Sequence, residues 1–156
     1  MQRVNDLSML YPLKGNRLLG LDLGSKTIGV AISDSCWKIA TPLLVIRRKK
    51  FNQDTKAIEQ IILERKIAGI VLGLPINMDA REGARAQSTR AFARNLREKA
   101  NFSYPIALWD ERLSTVAMER SLITDLDSSR AKRAAFIDQA AAGYILQGAL
   151  DALNEF

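Results

Sequence analysis

The stretch LLGLDLGSKTIGVAISD, residues 18–34, decides the fold. Residues 18–22 form a short apolar run bounded by glycines, which predicts a first strand, and residues 27–33 alternate apolar and small side chains, which predicts a second. Asp22 is the exception, because an ionised carboxylate avoids apolar surroundings unless a cation or hydrogen-bond donors compensate its charge. The reason for its position must therefore come from other parts of the chain.

The rest of the sequence predicts a mixed sheet flanked by helices. A turn at residues 34–36 leads to a third strand over residues 38–46, in which Pro42 favours an edge position, so the first three strands should form an antiparallel meander. The later elements are predicted as a helix over residues 54–66, a strand in IAGIVLGLP (67–75), a helix over residues 84–99, a strand in YPIALWDE (104–111), a short helix capped by Ser114 and a last helix over residues 130–153. Helical crossovers make strands one, four and five parallel. The predicted fold class is therefore α/β, with a five-stranded mixed sheet.

Length and composition limit how the chain is organised. Its 156 residues suit one domain, and no apolar run approaches the length of a membrane span. Residues 1–16 lack the apolar core of a signal peptide, so we expect a loosely held N-terminal extension before a domain of residues 17–156. The single cysteine, Cys36, excludes an intramolecular disulfide and suits a reducing cytoplasm.

Two features of the composition restrict the chemistry. The chain has no histidine, which removes Ser-His and Cys-His nucleophiles, imidazole acid–base catalysis and histidine-containing zinc sites. An enzyme built from this sequence must use carboxylates, lysines, arginines, hydroxyls or bound ions. The net charge of +6 favours a polyanionic partner, nucleic acid above all, although a basic surface without such a partner is common.

Three acids are predicted to meet at one edge of the sheet. Ligands of parallel sheets bind at the carboxyl ends of the strands, where Asp22 ends strand one and Glu111 ends strand five. Asp138 lies in a stripe of small apolar residues on the last helix, so it should face the sheet and not the solvent. Converging carboxylates without histidine suit Mg²⁺ or Mn²⁺, and a pair of such ions can activate water and stabilise the leaving oxygen of a phosphodiester.

Each acid also has a structural interpretation. Asp22 could satisfy backbone amides in a turn, and Glu111 could be solvated or pair with Arg112. Asp138 could pair with a neighbouring arginine or a backbone amide. Three acids on three separate elements that point to one edge favour a shared site over three coincidences.

Four segments of the chain resemble one known family, and together they span residues 20–151: GLDLGSKTIGVAISD, VLGLPINMDAREGARA, LWDERLST and IDQAAAGYILQGALD. The sequence resembles the YqgF/RuvX family of pre-16S rRNA nucleases, also described as Holliday-junction-resolvase-like. The resemblance implies a ribonuclease-H-like fold and a metal-binding trio that maps onto Asp22, Glu111 and Asp138. It also implies phosphodiester hydrolysis at the 5′ end of pre-16S rRNA in ribosome biogenesis, and association with ribosomal particles. The family often has arginine where Thr27 stands, so a possible phosphate contact is missing here.

Nucleic-acid contacts are predicted around the acidic edge. Arg85 lies at the start of the packed stripe of its helix, so its guanidinium should lie over the edge, where it can bind a phosphate with two hydrogen bonds. Asn77 could reach a sugar or base and Lys26 a backbone phosphate, while Asp79 is expected to form a turn. The other predicted contacts follow Glu111 at the start of a helix, whose amino end attracts phosphate: Arg112, Ser114 and Thr115.

Two further basic groups are expected in solvent. Arg90, Arg94 and Arg97 share one side of a helix and should form a solvated face, at most an auxiliary phosphate track. The RRKK segment at residues 47–50 should form a solvated turn that adds non-specific attraction, weakened by salt.

The sequence therefore predicts a metal-dependent nuclease that acts on structured RNA, with precursor rRNA as the substrate. Cleavage of branched DNA junctions is the alternative, because a metal trio attacks either backbone. More remote alternatives are a non-catalytic RNA-binding assembly factor and an actin-like ATPase, whose first phosphate loop resembles DLGSKTIGVA. The chain has too few residues for the two lobes that such an ATPase needs.

Overall fold

The structure, a computed structural model, describes residues 1–113 and 130–155, with the side chains of residues 1–113 and 137–155. The elements in these ranges are β1 (Arg17–Leu23), β2 (Thr27–Ser33), β3 (Ala40–Arg47), α1 (Phe51–Arg65), β4 (Ile67–Leu74), α2 (Ala84–Glu98), β5 (Ile106–Asp110) and α3 (Arg130–Leu153), with 3₁₀ turns at Ser8–Leu13 and Glu111–Leu113. The short helix predicted from Ser114 lies outside the described residues. None of the helices in these ranges has the length and apolar character needed to cross a membrane.

The five strands form one mixed sheet in the order β3-β2-β1-β4-β5. Strands β1 to β3 are an antiparallel meander, while β4 pairs in parallel with both β1 and β5, which confirms the topology predicted from the helical crossovers. Pro42 lies on the edge strand β3, where a missing N–H group is tolerated. The carboxyl ends of the three parallel strands therefore meet at one edge of the sheet.

Alternation along β1 assigns its side chains to the two faces of the sheet. Leu19, Leu21 and Leu23 pack in a core with α1 and α2. Leu18 packs in a second core with α3, and Asp22 shares that face because side chains an even number of residues apart project to the same side. Each buried leucine contributes about 1.5–3 kcal/mol, so the register is strongly fixed, and a slip of one residue would carry Asp22 to the opposite face.

Helix α3 lies close to the sheet because its inner stripe is small. Ala141, Ala142 and Ile145 are buried, as the sequence predicts. A Cβ at Gly20 would lie 2.7 Å from the Cβ of Leu146, so the glycine in β1 is what permits this close approach. The packing of α3 on β1 thereby fixes the position of the helix relative to the acidic edge.

The N-terminal segment is folded against the sheet, so the expectation that residues 1–16 are loosely held is wrong. Leu10 is fully buried in the core with α3. Nε2 of Gln2 donates a hydrogen bond to the carbonyl of Ile106. The backbone N–H of Asn5 donates to the carbonyl of Leu108 at 2.8 Å. The reason is that β5 is an edge strand, whose outer N–H and C=O groups need partners, and this segment supplies them.

Candidate active site

Asp22 lies at the carboxyl end of β1 on the α3 face of the sheet, and only 7% of it is exposed. The register of β1 with β2 pairs it with Gly29. Directly opposite residues of antiparallel strands project to the same face, with Cβ positions about 4.5–5.5 Å apart. The carboxylate of Asp22 thus adjoins the space above Gly29.

Asp138 reaches that space from α3. A Cβ at Gly29 would lie 2.1 Å from the carbonyl oxygen of Asp138, so the helix backbone rests directly on β2. The side chain of Asp138 is partly buried, and its Oδ2 accepts a hydrogen bond of 2.6 Å from the hydroxyl of Thr27. Asp22 and Asp138 are therefore neighbours across the β1–β2 pair, and a hydroxyl of β2 orients Asp138.

Glu111 approaches the same face from β5. It follows Asp110, the last residue of that strand, and begins the 3₁₀ turn. A Cβ at Gly73 of β4 would lie 3.1 Å from Oε1 of Glu111 and 2.6 Å from Cδ1 of Ile145 on α3. The glutamate side chain therefore extends over β4 on the α3 face, in space that a glycine leaves open, and β4 lies next to the strand of Asp22.

The three acids share one face and one edge of the sheet, and all their donor atoms are carboxylate oxygens, which Mg²⁺ and Mn²⁺ prefer. Among the described residues, no three Asp, Glu, Cys or His side chains lie close enough together to hold a metal ion. The carboxylate of Asp138 is bonded to Thr27. The residue types fit a divalent cation, and joint ligation by the three acids stays a prediction.

Arg112 is exposed, and its hydrogen bonds are to other residues of this chain. Its Nη2 donates to Oδ2 of Asp110 at 2.7 Å, its backbone N–H donates to Oδ1, and its Nη1 donates to the carbonyl of Asn77. Hydrogen bonding to Asp110, which is only 3% exposed, raises the pKa of Arg112 above its ordinary value. A phosphate would have to compete with this carboxylate, so the role of Arg112 in substrate binding stays a prediction. Two further predicted contacts, Ser114 and Thr115, lie outside the described residues.

The remaining predicted contacts, Lys26, Asn77 and Arg85, are exposed. Lys26 follows the end of β1, Asn77 belongs to the loop after β4, and Arg85 lies in the first turn of α2. Asp79 has the turn-forming role that the sequence predicts, because its Oδ1 accepts the backbone N–H of Arg81 at 3.0 Å. These side chains lie around the end of the sheet that carries the acids, and their contacts with substrate stay predictions.

A cleft that the sequence did not predict adjoins the same edge. It has a volume of about 360 Å³, and the residues that line it include Gly24, Ser25, Arg48, Arg85, Ser88 and Thr89. Arg48 belongs to the RRKK segment, yet it is half-buried and its Nη1 donates to the carbonyl of Gly24 at 2.6 Å. For Arg48 the expectation of a solvated turn is wrong. The sequence carries no signal for this, because four consecutive cations do not indicate which one turns inward.

The arginines on the outer side of α2 hold the N-terminal segment. Arg90 is 11% exposed in its side chain and bonds both carboxylate oxygens of Glu82 and the carbonyl of Gln2. Nη2 of Arg97 donates to Oε1 of Gln2 at 2.7 Å. The prediction of a solvated face is therefore wrong for Arg90, whereas Arg94 is exposed as predicted. The hydrogen bonds from Arg90 hold the pKa of Glu82 below its ordinary value.

The fold defines a class of protein: a ribonuclease-H-like α/β protein with acids at the carboxyl ends of its parallel strands. Thermus thermophilus RuvC in complex with a Holliday junction substrate aligns with 89% of this chain and 96% of its own, with a TM-score of 0.56 and 11% identity. At that identity the likeness shows the fold alone. The profile of the RuvX family, described as Holliday junction resolvase, matches residues 16–152, and the chain belongs to this family.

Curated relatives match over nearly the whole chain. A protein of Cereibacter sphaeroides described as "Putative pre-16S rRNA nuclease" is 57% identical over 152 residues, which cover 97% of this chain and 92% of the relative. A protein of Paracoccus denitrificans with the same description is 62% identical over 135 residues, which cover 86% of this chain and 84% of the relative. The family resemblance seen in the four sequence segments is thereby confirmed.

Proposed function

We propose that this chain is a metal-dependent nuclease that hydrolyses phosphodiester bonds of precursor 16S rRNA in the cytoplasm, in association with ribosomal particles. The observation that carries the proposal is the placement of Asp22, Glu111 and Asp138 on one face at one edge of the sheet, beside the spaces above Gly29 and Gly73. The description shared by the relatives supports the RNA substrate. The net charge of +6 supports a polyanionic partner.

The three acids would hold Mg²⁺ or Mn²⁺, as a pair of ions. Bound there, such a pair supplies an activated water and stabilises the leaving oxygen of a phosphodiester. The protein holds the ligands in place: the register of β1 fixes Asp22, and the Thr27 hydroxyl orients Asp138. Arg85, which is exposed at the same edge, would bind a phosphate of the substrate.

Cleavage of branched DNA is the second candidate function, and the description of the matching family favours it. The same acids could act on either backbone, because a metal site recognises the phosphodiester and not the sugar. The two candidates therefore differ in the surface around the site, and a direct comparison of substrates separates them.

The test is cleavage of a labelled pre-16S rRNA fragment and a labelled four-way DNA junction, each with Mg²⁺, with Mn²⁺ or with chelator. We expect metal-dependent cleavage of the RNA and no cleavage with chelator. Asp22→Asn should reduce cleavage to the level seen with chelator. The matched control is Asp151→Asn, an exposed aspartate on α3 about 20 Å along the helix from Asp138, which should cleave like the wild type. A fully active Asp22→Asn variant would contradict the proposal, and cleavage of the junction alone would favour the second candidate.

A further inference from the structure

The cleft beside the acidic edge is basic and rich in hydroxyl groups. Its lining contains Arg48 and Arg85 together with the hydroxyls of Ser25 and Ser88, and no acid is among the described residues that line it. We propose that this cleft binds one backbone phosphate of the strand that the acids cleave. The identity of that strand rests on the proposed function, whereas the binding of phosphate rests on the cleft itself.

Arg48 is oriented for such a contact before any ligand binds. Its Nη1 donates to the carbonyl of Gly24, its backbone N–H donates to the carbonyl of Lys26 at 2.8 Å, and its Cζ lies 5.9 Å from the ring centre of Phe92. A guanidinium has five N–H donors, and the bond to Gly24 uses one of them. A side chain held in this way loses little conformational entropy on binding, which favours affinity.

Arg85, in the first turn of α2, adds a second positive charge to the cleft. Arg85 is the second residue of the helix, and its guanidinium is exposed. Ser88 lies about one turn further along α2. Two arginines and two serine hydroxyls together supply hydrogen-bond donors for the two non-bridging oxygens of a backbone phosphate.

The cleft is close enough to the acids to bind the same strand. Gly24 and Ser25 lie two and three residues after Asp22, and three residues of chain span at most about 10 Å. The cleft, which Leu23 also lines, is on the α2 face of the sheet, and the acids are on the α3 face at the same end. With a rise of about 3.4 Å per nucleotide along one strand, a phosphate in the cleft would lie a few nucleotides from the bond at the acids. The cleft would therefore set the register of the strand in the active site.

The test is the affinity for a fluorescently labelled RNA hairpin with a 5′-hydroxyl end, measured by anisotropy in chelator, where no cleavage interferes. Arg48→Gln and Arg85→Gln should each weaken binding about tenfold and reduce the salt dependence by about one phosphate contact. Arg94→Gln is the matched control. It removes the same charge from the same helix, nine residues after Arg85 and hence on the opposite side. If Arg48→Gln and Arg85→Gln bind RNA no more weakly than Arg94→Gln does, the proposal is overturned.

Two further comparisons complete the test. Melting temperatures show whether Arg48→Gln, which loses structural contacts, still folds; Arg85 is exposed, so Arg85→Gln decides the matter in either case. Hairpins with a 5′-hydroxyl and a 5′-phosphate should bind equally, and inorganic phosphate at constant ionic strength should compete weakly. Binding only to the 5′-phosphorylated hairpin, or strong competition by inorganic phosphate, would overturn the assignment to a backbone phosphate. If the wild-type protein cleaves no RNA, the proposed function is contradicted. Weaker RNA binding by Arg48→Gln and Arg85→Gln would still support phosphate binding in the cleft.

Discussion

The hydroxyl of Thr27, the first residue of β2, donates a hydrogen bond of 2.6 Å to Oδ2 of Asp138 on α3. The two residues are 111 positions apart in the sequence, so the contact exists only because α3 lies across β2. It ties one acid of the proposed metal site to the strand that pairs with that of Asp22. Thr27 is therefore a positioning residue for Asp138.

Thr27→Val tests this positioning role, because valine has a similar shape and no hydroxyl. We expect the affinity for Mn²⁺ to fall about 10–100-fold, the usual effect of removing a hydrogen bond to a metal ligand. Thr27→Ser retains the hydroxyl and should bind Mn²⁺ like the wild type. Calorimetric titration with Mn²⁺ measures both, and an unchanged affinity in the valine variant would refute the role.

Gly29→Ala tests the close contact between α3 and β2. The added Cβ would lie 2.1 Å from a backbone oxygen of Asp138, so the helix would have to move. We expect the free energy of unfolding to fall by about 1–3 kcal/mol, the range for overpacked cores, measured by urea denaturation. In the control Gly83→Ala, the nearest atom to the added Cβ is the end of the Asn77 side chain, at 3.1 Å, which can give way. Equal stability of the two variants would contradict the close packing.

Substitutions of Asn5 test whether the N-terminal segment stabilises β5, the strand that leads to Glu111. Its Oδ1 accepts the backbone N–H of Asp110 at 2.8 Å, and its φ of 62° lies in the left-handed region. Asn5→Ala should cost about 1–3 kcal/mol, because it leaves a buried donor unpaired. Asn5→Gly loses the same bond but suits the backbone, so it should cost less. Both variants should speed hydrogen exchange at the Asp110 amide, and unchanged exchange would show that the segment does not support β5.

The pair of Arg90 and Glu82 predicts a pH dependence of stability. A carboxylate whose pKa is lowered by folding adds stability that is present above its ordinary pKa, about 4.3, and is lost as the pH falls through the lowered value. The free energy of unfolding of the wild type should therefore fall more steeply below about pH 4.3 than that of Glu82→Gln. Because Arg90 also bonds Gln2, the N-terminal segment should loosen in the same range. Parallel pH profiles for the two proteins would contradict this account.

The sheet could be predicted because its signals are periodic or local. The apolar run at residues 18–22 predicts β1 with Asp22 at its carboxyl end, and the order of strands and helices predicts parallel pairing of β1, β4 and β5. Pro42 predicts an edge strand because proline has no backbone N–H group to donate to a second neighbouring strand. Each of these signals lies within a few residues of the feature that it predicts.

The features that the sequence did not predict depend on contacts between distant residues. Gln2 bonds the carbonyl of Ile106, 104 positions away, and its polar surroundings show no period that indicates an edge to be covered. In the sequence, Thr27 only indicates that a possible phosphate contact is missing. Its hydrogen bond to Asp138 depends on the position of α3, 111 residues later. Arg48 is one of several adjacent cations, and its inward position depends on contacts with Gly24 and Phe92, both distant from it in the sequence.

The central claim is that Asp22, Glu111 and Asp138 ligate divalent ions together. The most direct measurement is anomalous scattering from Mn²⁺ in crystals of the wild-type protein. We predict a manganese peak bound by carboxylate oxygens of all three residues, and no such peak in crystals of Asp22→Asn. Wild-type crystals with no manganese at the acidic edge, or with manganese bound by other residues, would contradict the account.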